Sequence, residues 1–340
     1  MSAHVVVVGS ANVDLVVPVP RHPGAGETVL GGDLVRTAGG KGANQAVAAS
    51  RAGGVRTTFL GALGRDDAAD LLLASLTSAR VDTALVDRTD TATGTAFIAV
   101  DPGGENAIVV APGANARLTL GPAAVARLAE ADVVLAQLEV PLEAVVDAAR
   151  ARRAGSRMVL NAAPSRPLPD DVWPLVDVLV VNEHEARDLA GGADGSPPDG
   201  AGAGDGAGDG DGAGDGDGAG DGDSRGDGDG EHERLAAALL ARVPAVVVTR
   251  GARGCLVAER DQRVVHVAAP RVDPVDTTGA GDTFCGVLAA HLALGATLAD
   301  AARVAVVAGA LAVTRPGAQD AVPDAADVEH AAQVHAGGAR

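Results

Sequence analysis

The stretch Asp276-Thr277-Thr278-Gly279-Ala280-Gly281-Asp282-Thr283-Phe284 turns an extended, proline-interrupted run (264–275) into a helix. From Gly281 onward, Phe284, Val287, Leu288 and Leu292 fall on roughly one helical face. Small residues leave the first turn open, so the N–H groups of Gly279, Ala280 and Gly281 are expected to be free. Free amides and the helix dipole together make an anion site. Asp282 is then either a helix-start carboxylate or a base beside the anion. A transferring phosphoryl group needs both parts, donors for its spreading charge and a base for the attacking hydroxyl.

The letters Gly-Ala-Gly-Asp are not diagnostic alone, because they recur at 202–205, 206–209, 212–215 and 218–221 inside a low-complexity tract. The flanking Asp276-Thr277-Thr278 and Thr283-Phe284, and the amphipathic helix that follows, set 279–282 apart.

With 340 residues the chain has room for a large core, in one large or two smaller domains. Its net charge of −18 is uneven: residues 191–230 hold eleven Asp and one Arg, which leaves about −8 for the remainder. No basic face is predicted, which argues against nucleic acid as a partner. With no Tyr, one Trp and three Phe there is little to stack bases on, and the core must be Ala, Val and Leu. Cys255 and Cys285 suggest neither a disulfide framework nor a metal cluster. No 18-residue uncharged apolar run is present, and Val5–Val8 reads as a strand rather than a signal peptide, so no membrane partner and a cytoplasmic location are expected.

Val5–Val8 has the continuous apolar character of a strand buried on both faces. Just beyond it, Asn12 and Asp14 alternate with apolar neighbours; they suit sugar hydroxyls, and equally suit a turn. Residues 15–37 read as short strands outside the main sheet. At 38–48, Ala-Gly-Gly-Lys-Gly-Ala-Asn-Gln-Ala-Val-Ala opens a helix with glycines that allow close backbone approach, and Asn44 lies in its first turn. Lys41 is followed by Gly, so this is not a Walker A loop, and the dinucleotide G-x-G-x-x-G spacing is absent. A helix is expected over 65–78 and a hairpin over 95–110, which with 15–37 makes a small sheet, either a lid or an edge ornament.

From 115 onward helices (119–130, 141–154) alternate with strands (133–138, 158–160, 178–181, 246–248). Polar residues follow strand after strand: Asn12, Glu139, Asn161, Asn182 and Thr249. That places them on one rim, at the carboxyl ends of a parallel sheet. Glu185 reads either as a dipole-complementing acid or as a holder of water on Mg²⁺. Residues 191–230 have nothing to bury and read as a disordered insert; they lack the regular apolar position of calcium-binding repeats. Helices are expected over 231–242, 282–294 and 297–314, with a hairpin at 255–267. Carbonyls near Pro316 and Gly317 are expected to face the loop at 276–278.

The motifs at 39–46 and 276–284 resemble the two signatures of the ribokinase-like (PfkB) carbohydrate kinases. Gly9–Asp14, Pro23–Thr28, Gln137-Leu138-Glu139, 182–185 and 313–319 align with the same family in order, and the likeness spans about residues 4–323 outside the acidic insert. The resemblance implies an α/β fold, a three-layer α/β/α sandwich with a mainly parallel central sheet and a small β-sheet lid within about 13–37 and 94–112, in one catalytic domain over 1–340. It implies ATP-dependent phosphorylation of the 5-hydroxyl of D-ribose and a homodimer paired through the lid. By position, Asn12, Asp14, Gly40, Lys41, Gly42, Ala43, Asn44, Glu139 and Asp282 would meet the sugar. Asn182, Thr249, Arg250, Gly251, Ala252, Arg253, Gly254, Gly281 and Asp282 would meet the nucleotide. Asp282 would be the base and Gly279, Ala280 and Gly281 the anion hole. Glu185 would act through the water shell of Mg²⁺. Asp276, Thr278, Ala312, Arg315, Gly317 and Ala321 would hold a monovalent cation, usually K⁺. Ala321 stands where the family often has Ser, which weakens one ligand. A kinase for another sugar (fructose, deoxyribose) or a nucleoside, or a non-catalytic relative, are the competing readings; few aromatics disfavour the nucleoside, and the intact Gly279–Asp282 turn disfavours the non-catalytic relative.

Overall fold

The structure, a computed structural model, describes residues 3–191 and 225–338. In chain order, β1 (His4–Val8), β2 (Asn12–Pro18) and β3 (Val35–Gly39) lead to α1 (Lys41–Arg51). Then come β4 (Arg56–Leu60), β5 (Ala62–Leu63), α2 (Asp67–Ser78), β6 (Asp87–Arg88), β7 (Gly94–Val100) and β8 (Asn106–Ala111). The α/β alternation follows with α3 (Pro122–Leu128), β9 (Val133–Ala136), α4 (Leu142–Ala151), β10 (Arg157–Asn161), β11 (Val178–Asn182) and α5 (Glu183–Gly191). The C-terminal half adds α6 (Arg225–Leu240), β12 (Ala245–Thr249), β13 (Cys255–Glu259), β14 (Val265–Val267), α7 (Ala280–Ala293), α8 (Leu298–Ala312) and α9 (Ala325–Gly338).

Eight strands form the central sheet in the order β14-β13-β12-β11-β10-β9-β1-β4. From β4 to β12 neighbouring strands are parallel, and the β13–β14 hairpin adds antiparallel to one edge. Successive side chains of β1 enter different cores, as the two-residue period of a strand requires. Val5 and Val7 join the core that includes α1, α7 and α8; Val6 and Val8 join the one that includes α3, α4 and Leu239 of α6. That is the physical content of the three layers. β1 is also where the winding reverses, since β4 lies to one side and β9 to β12 to the other. Such a switch point leaves a crevice at the carboxyl ends of the strands.

A second sheet, β3-β2-β7-β8, grows directly from β1 through Asn12. Its β2–β7 pair is parallel and its outer pairs are antiparallel. Every residue of β8 is exposed.

Opposite the crevice floor, α1 and α7 cross with almost nothing between them. A Cβ on Gly286 would lie 2.4 Å from the Gln45 carbonyl oxygen and 2.6 Å from Ala48 Cβ, and one on Gly53 would lie 2.3 Å from Ala290 Cβ. Glycine and alanine at this crossing therefore bring the N-termini of the two helices side by side.

Differences from the sequence reading have local causes. Strand β9 ends at Ala136 rather than 138, and α3 and α4 are shorter than the periodicity suggests, since Pro122 and the Pro141 N-cap set their starts. Residues 225–230, expected to be unstructured, belong to α6. Its buried Ala236 and Leu239 anchor the helix, and extending an existing helix is far easier than nucleating one. The rest of the acidic insert, 192–224, lies outside the described residues.

Candidate active site

The base candidate is held on both carboxylate oxygens. Asp282, in the first turn of α7, accepts at Oδ2 from Asn44 Nδ2 (2.9 Å) and at Oδ1 from Gln45 Nε2 (2.9 Å). Both donors come from the first turn of α1, so the glycine–alanine crossing is what makes this contact. Gln45 Oε1 accepts from Gln137 Nε2 (2.6 Å), and its amide also donates to Asn161 Oδ1 (3.0 Å). Asn44 Oδ1 accepts from Gln319 Nε2 (3.0 Å), whose own Oε1 accepts from Ser75 Oγ (2.5 Å).

Beside this lies the Gly-Gly-Lys-Gly turn. Gly40, at φ 88°, caps α1; a Cβ there would sit 2.6 Å from the Asn12 nitrogen. Glu139 Oε2 accepts from Ser10 Oγ (2.5 Å) and from the Lys41 N–H (3.2 Å). Gly42 and Ala43, expected at the sugar, are buried instead. The Gly42 N–H donates to Ser10 Oγ and the Ala43 N–H to the Ser10 carbonyl, because the start of α1 packs directly on the end of β1. Asn12 is also buried, with its Oδ1 taken by Asn115 Nδ2 at 2.7 Å. Asn115 in turn brackets Ala11, donating to its carbonyl and accepting from its N–H.

The charges here are mutual. Burial, with Glu139 and Asp282 nearby, pushes the Asp14 carboxyl up to about 7. Burial works against the Lys41 ammonium, but Asp282, Glu139 and Glu185 outweigh it and raise its pKa. One cation thus faces three carboxylates, and sequence residues 14, 41, 139, 185 and 282 meet in one electrostatic cluster.

On the other side of the crevice, Asn182 and Thr249 end the paired strands β11 and β12. Asn182 and Glu185 form a reciprocal capping box: the Glu185 N–H donates to Asn182 Oδ1, and Glu185 Oε2 accepts from the Asn182 N–H, both at 2.8 Å. Glu185 is thus the acid that closes this cap in the first turn of α5, and burial raises its carboxyl pKa. Thr249 Oγ1 donates to the Val181 carbonyl at 3.3 Å. Gly251, Ala252 and Arg253 form an exposed turn, while Arg250 is buried and its N–H donates to the Gly254 carbonyl at 2.7 Å. Arg253 pairs with Glu183. Gly254 has φ 84°, and a Cβ there would meet the Val267 carbonyl oxygen at 2.0 Å.

The turn at the start of α7 differs from expectation in one amide. Gly279 adopts the left-handed conformation (φ 74°), which closes a turn in which the Ala280 N–H donates to the Thr277 carbonyl at 3.3 Å. Among the described residues no acceptor takes the N–H of Gly279 or Gly281, and Gly281 is exposed. Asp276 joins this turn to the next loop, accepting at Oδ1 from the Thr278 N–H (2.9 Å) and at Oδ2 from the Gly317 N–H (2.8 Å). Burial opposes these bonds, yet they hold its carboxyl below the usual range. The Val313 carbonyl accepts from Val275 and Asp276, so the two loops meet as the sequence suggests. The Ala312 carbonyl accepts from the Arg315 N–H, and Ala321 is buried without a hydroxyl to offer. Carboxylate and carbonyl oxygens of this kind suit a hard cation. Among the described residues, no group of three or more His, Cys, Asp or Glu side chains is placed to hold a metal ion, and no helix is long and apolar enough to cross a membrane.

The sequence reading missed Gln45, Gln137, Gln319 and Asn115 as site residues. The available signal was chemical: full-length amides in otherwise apolar or alanine-rich segments need partners when buried.

Residues 2–325 match the model of the pfkB family carbohydrate kinases. The ribokinase of Staphylococcus aureus is 34% identical over 329 residues, covering 95% of this chain and 97% of the relative. The deoxyribokinase of Salmonella typhi is 33% identical over 326 residues, covering 94% and 95%. The structure of Arabidopsis thaliana ribokinase complexed with ribose and ATP superposes with a TM-score of 0.81 at 27% identity, covering 98% of this chain and 99% of that one. With a crevice at the β1 switch point, a carboxylate pinned at a helix start and these likenesses, the chain belongs to the pfkB family of carbohydrate kinases.

Proposed function

We propose that this chain transfers the γ-phosphoryl group of ATP to the 5-hydroxyl of D-ribose, giving D-ribose 5-phosphate and ADP. The carrying observation is the Asp282 carboxylate, held by Asn44 and Gln45 beside Lys41 and the Asp14–Glu139 pair. The similarity to ribokinases supports the choice of sugar. Asp14 and Glu139 accept from sugar hydroxyls, while Gly40, Lys41, Asn44 and the free side of the Asn12 amide complete that half. Asn182, Thr249 and the 251–254 turn line the nucleotide half, with Gly281 between the two.

Asp282 takes the hydroxyl proton as the sugar oxygen bonds to phosphorus and the bond to ADP breaks. The amides of Gly279 and Gly281, with the dipole of α7, meet the developing charge. A positioned base supplies about 10²–10⁴-fold, so alignment and electrostatics carry the rest. Mg²⁺ held through water near Glu185 would neutralise phosphate charge. A monovalent cation at Asp276, Thr278 and the carbonyls of Ala312, Arg315 and Gly317 would stiffen the α7 turn.

Asp282→Asn is expected to keep sugar and ATP binding near the unmodified level and to lower kcat by at least about a hundredfold. Near-normal turnover would remove Asp282 from the base role. ADP release measured over ribose, 2-deoxyribose, fructose and a nucleoside decides the substrate. The deoxyribokinase relative makes 2-deoxyribose the second reading, and that sugar winning the panel would replace ribose.

The lid is read as the interface of a homodimer. Phe97 and Val109 are paired and form an exposed apolar patch on one face of the small sheet, while Val35, Ile108 and Val110 are exposed on its other face. Such a patch favours burial against a second copy. Val109→Lys is expected to yield monomers by light scattering; a chain already monomeric without the substitution would refute the interface.

A further inference from the structure

We infer that Gln45 and Gln319 are positioning residues that fix the Asp282 carboxylate from two directions, an inference resting on the base role proposed above. The chemistry is directional. An ionised carboxylate only accepts, so the amides of Asn44 and Gln45 must turn their NH₂ groups to Asp282. Their own oxygens then point away and need donors. Gln319 Nε2 supplies one at 3.0 Å and Gln137 Nε2 the other at 2.6 Å.

Each arm is anchored in a different part of the fold. Gln319 is held through its side chain by Ser75 of α2 and through its carbonyl by Arg51 at the end of α1. Gln137 lies just past β9, where a Cβ on Gly9 would come within 2.0 Å of its Oε1, so the end of β1 is kept bare to seat it. Gln45 and Gln137 are fully buried and Gln319 is nearly so, so bulk water does not reach them to replace a lost donor.

Two consequences distinguish this from simple packing. Gln45 holds the Asp282 carboxylate directly and Gln319 holds Asn44, so removing either arm lets the carboxylate turn away from the hydroxyl it serves. Neither Gln45 nor Gln319 is needed to hold the sugar, so kcat falls more than KM rises. The other titratable groups around Asp282 are Asp14 of β2, Lys41 of α1, Cys285 of α7 and, through Lys41 and Asp14, Glu139 and Glu185. They are the same in every variant and set a common background.

The test is the split between kcat and the sugar KM, measured at saturating ATP for Gln45→Met and Gln319→Met, with Asp282→Asn alongside. Gln45→Met is expected to lose about 10–100-fold in kcat and to keep the sugar KM within about threefold. Gln319→Met acts through Asn44 and is expected to show the same pattern at about 3–10-fold. Gln45→Glu cannot donate to Asp282 when ionised and adds a like charge beside it, and is expected to lose the most kcat. An unchanged kcat per folded enzyme in the Met variants, or a sugar KM that rises as much as kcat falls, overturns the inference, whatever happens to stability. If Gln45→Met fails to fold, an unchanged kcat in Gln319→Met suffices. Normal turnover of Asp282→Asn overturns the base reading itself, whereas an inactive Asp282→Asn with unaffected Met variants overturns the positioning role alone.

Discussion

The two halves of the crevice are built differently. The half proposed for the sugar is packed and charged: Gly42, Ala43, Asn44 and Gln45 are buried, the helices carrying Asn44 and Asp282 nearly touch, and one lysine faces three carboxylates. The half proposed for the nucleotide is open. Asn182 and the Gly251-Ala252-Arg253 turn are exposed, and a Cβ on Gly251 would meet nothing within 4 Å. The first half depends on what surrounds it, while the second depends mainly on local backbone conformation. The difference teaches where sensitivity lies: the reacting hydroxyl and its base need fixed geometry, whereas a flat nucleotide can be received on the ends of two strands.

The sharpest way to break the contrast is Gly286→Leu. Overpacking at the α1–α7 crossing costs about 1–3 kcal/mol, and pushing Asp282 away by about 1 Å costs about a hundredfold in kcat. A lowered melting temperature together with that kcat loss is expected; normal turnover would show that the crossing does not set the base.

Asp14→Asn sharpens it through pH. The folded Asp14 carboxyl titrates at about 7, above its unfolded value, so the folded chain holds a proton that the unfolded chain has lost between about pH 4 and pH 7. Stability from this group therefore falls as pH rises through that window. The Asn variant is expected to melt above the unmodified protein at pH 8, with the gap closing by about pH 4. Its sugar KM is expected to be raised and flat, whereas the unmodified KM falls as pH rises through about 7. Melting and KM series at pH 5 to 8 check both.

The smallest effect belongs to the open half. Gly251→Ala has room but meets a positive φ of 55°, a strain of about 1 kcal/mol. A change of no more than several-fold in the ATP KM, with sugar KM untouched, is expected from initial-rate measurements; a loss as large as that of Gly286→Leu would erase the contrast.

Much of this was legible in the chain itself. The runs 5–8, 133–138 and 246–248 announced parallel strands, and the polar residues after them marked one rim, because strand direction fixes where the following residues emerge. The Asp276–Phe284 stretch announced a helix start carrying an acid. Contacts across the fold were less legible. Ala280 was expected to offer a free amide, and the left-handed Gly279 turned it toward Thr277. Gly42 and Ala43 were expected to face the sugar, and the end of β1 took both amides.

What the sequence determined alone was the periodic pattern and the local chemistry, since both depend on neighbours a few residues away. What only the tertiary structure decided was the setting of Asp282: Asn44 and Gln45 stand more than two hundred residues before it in the chain, and Gln319 reaches Asn44 across a similar gap. Which hydrogen-bond partner a buried group meets is fixed by how closely helices pack, and here that distance is set by glycine and alanine on surfaces that meet only after folding.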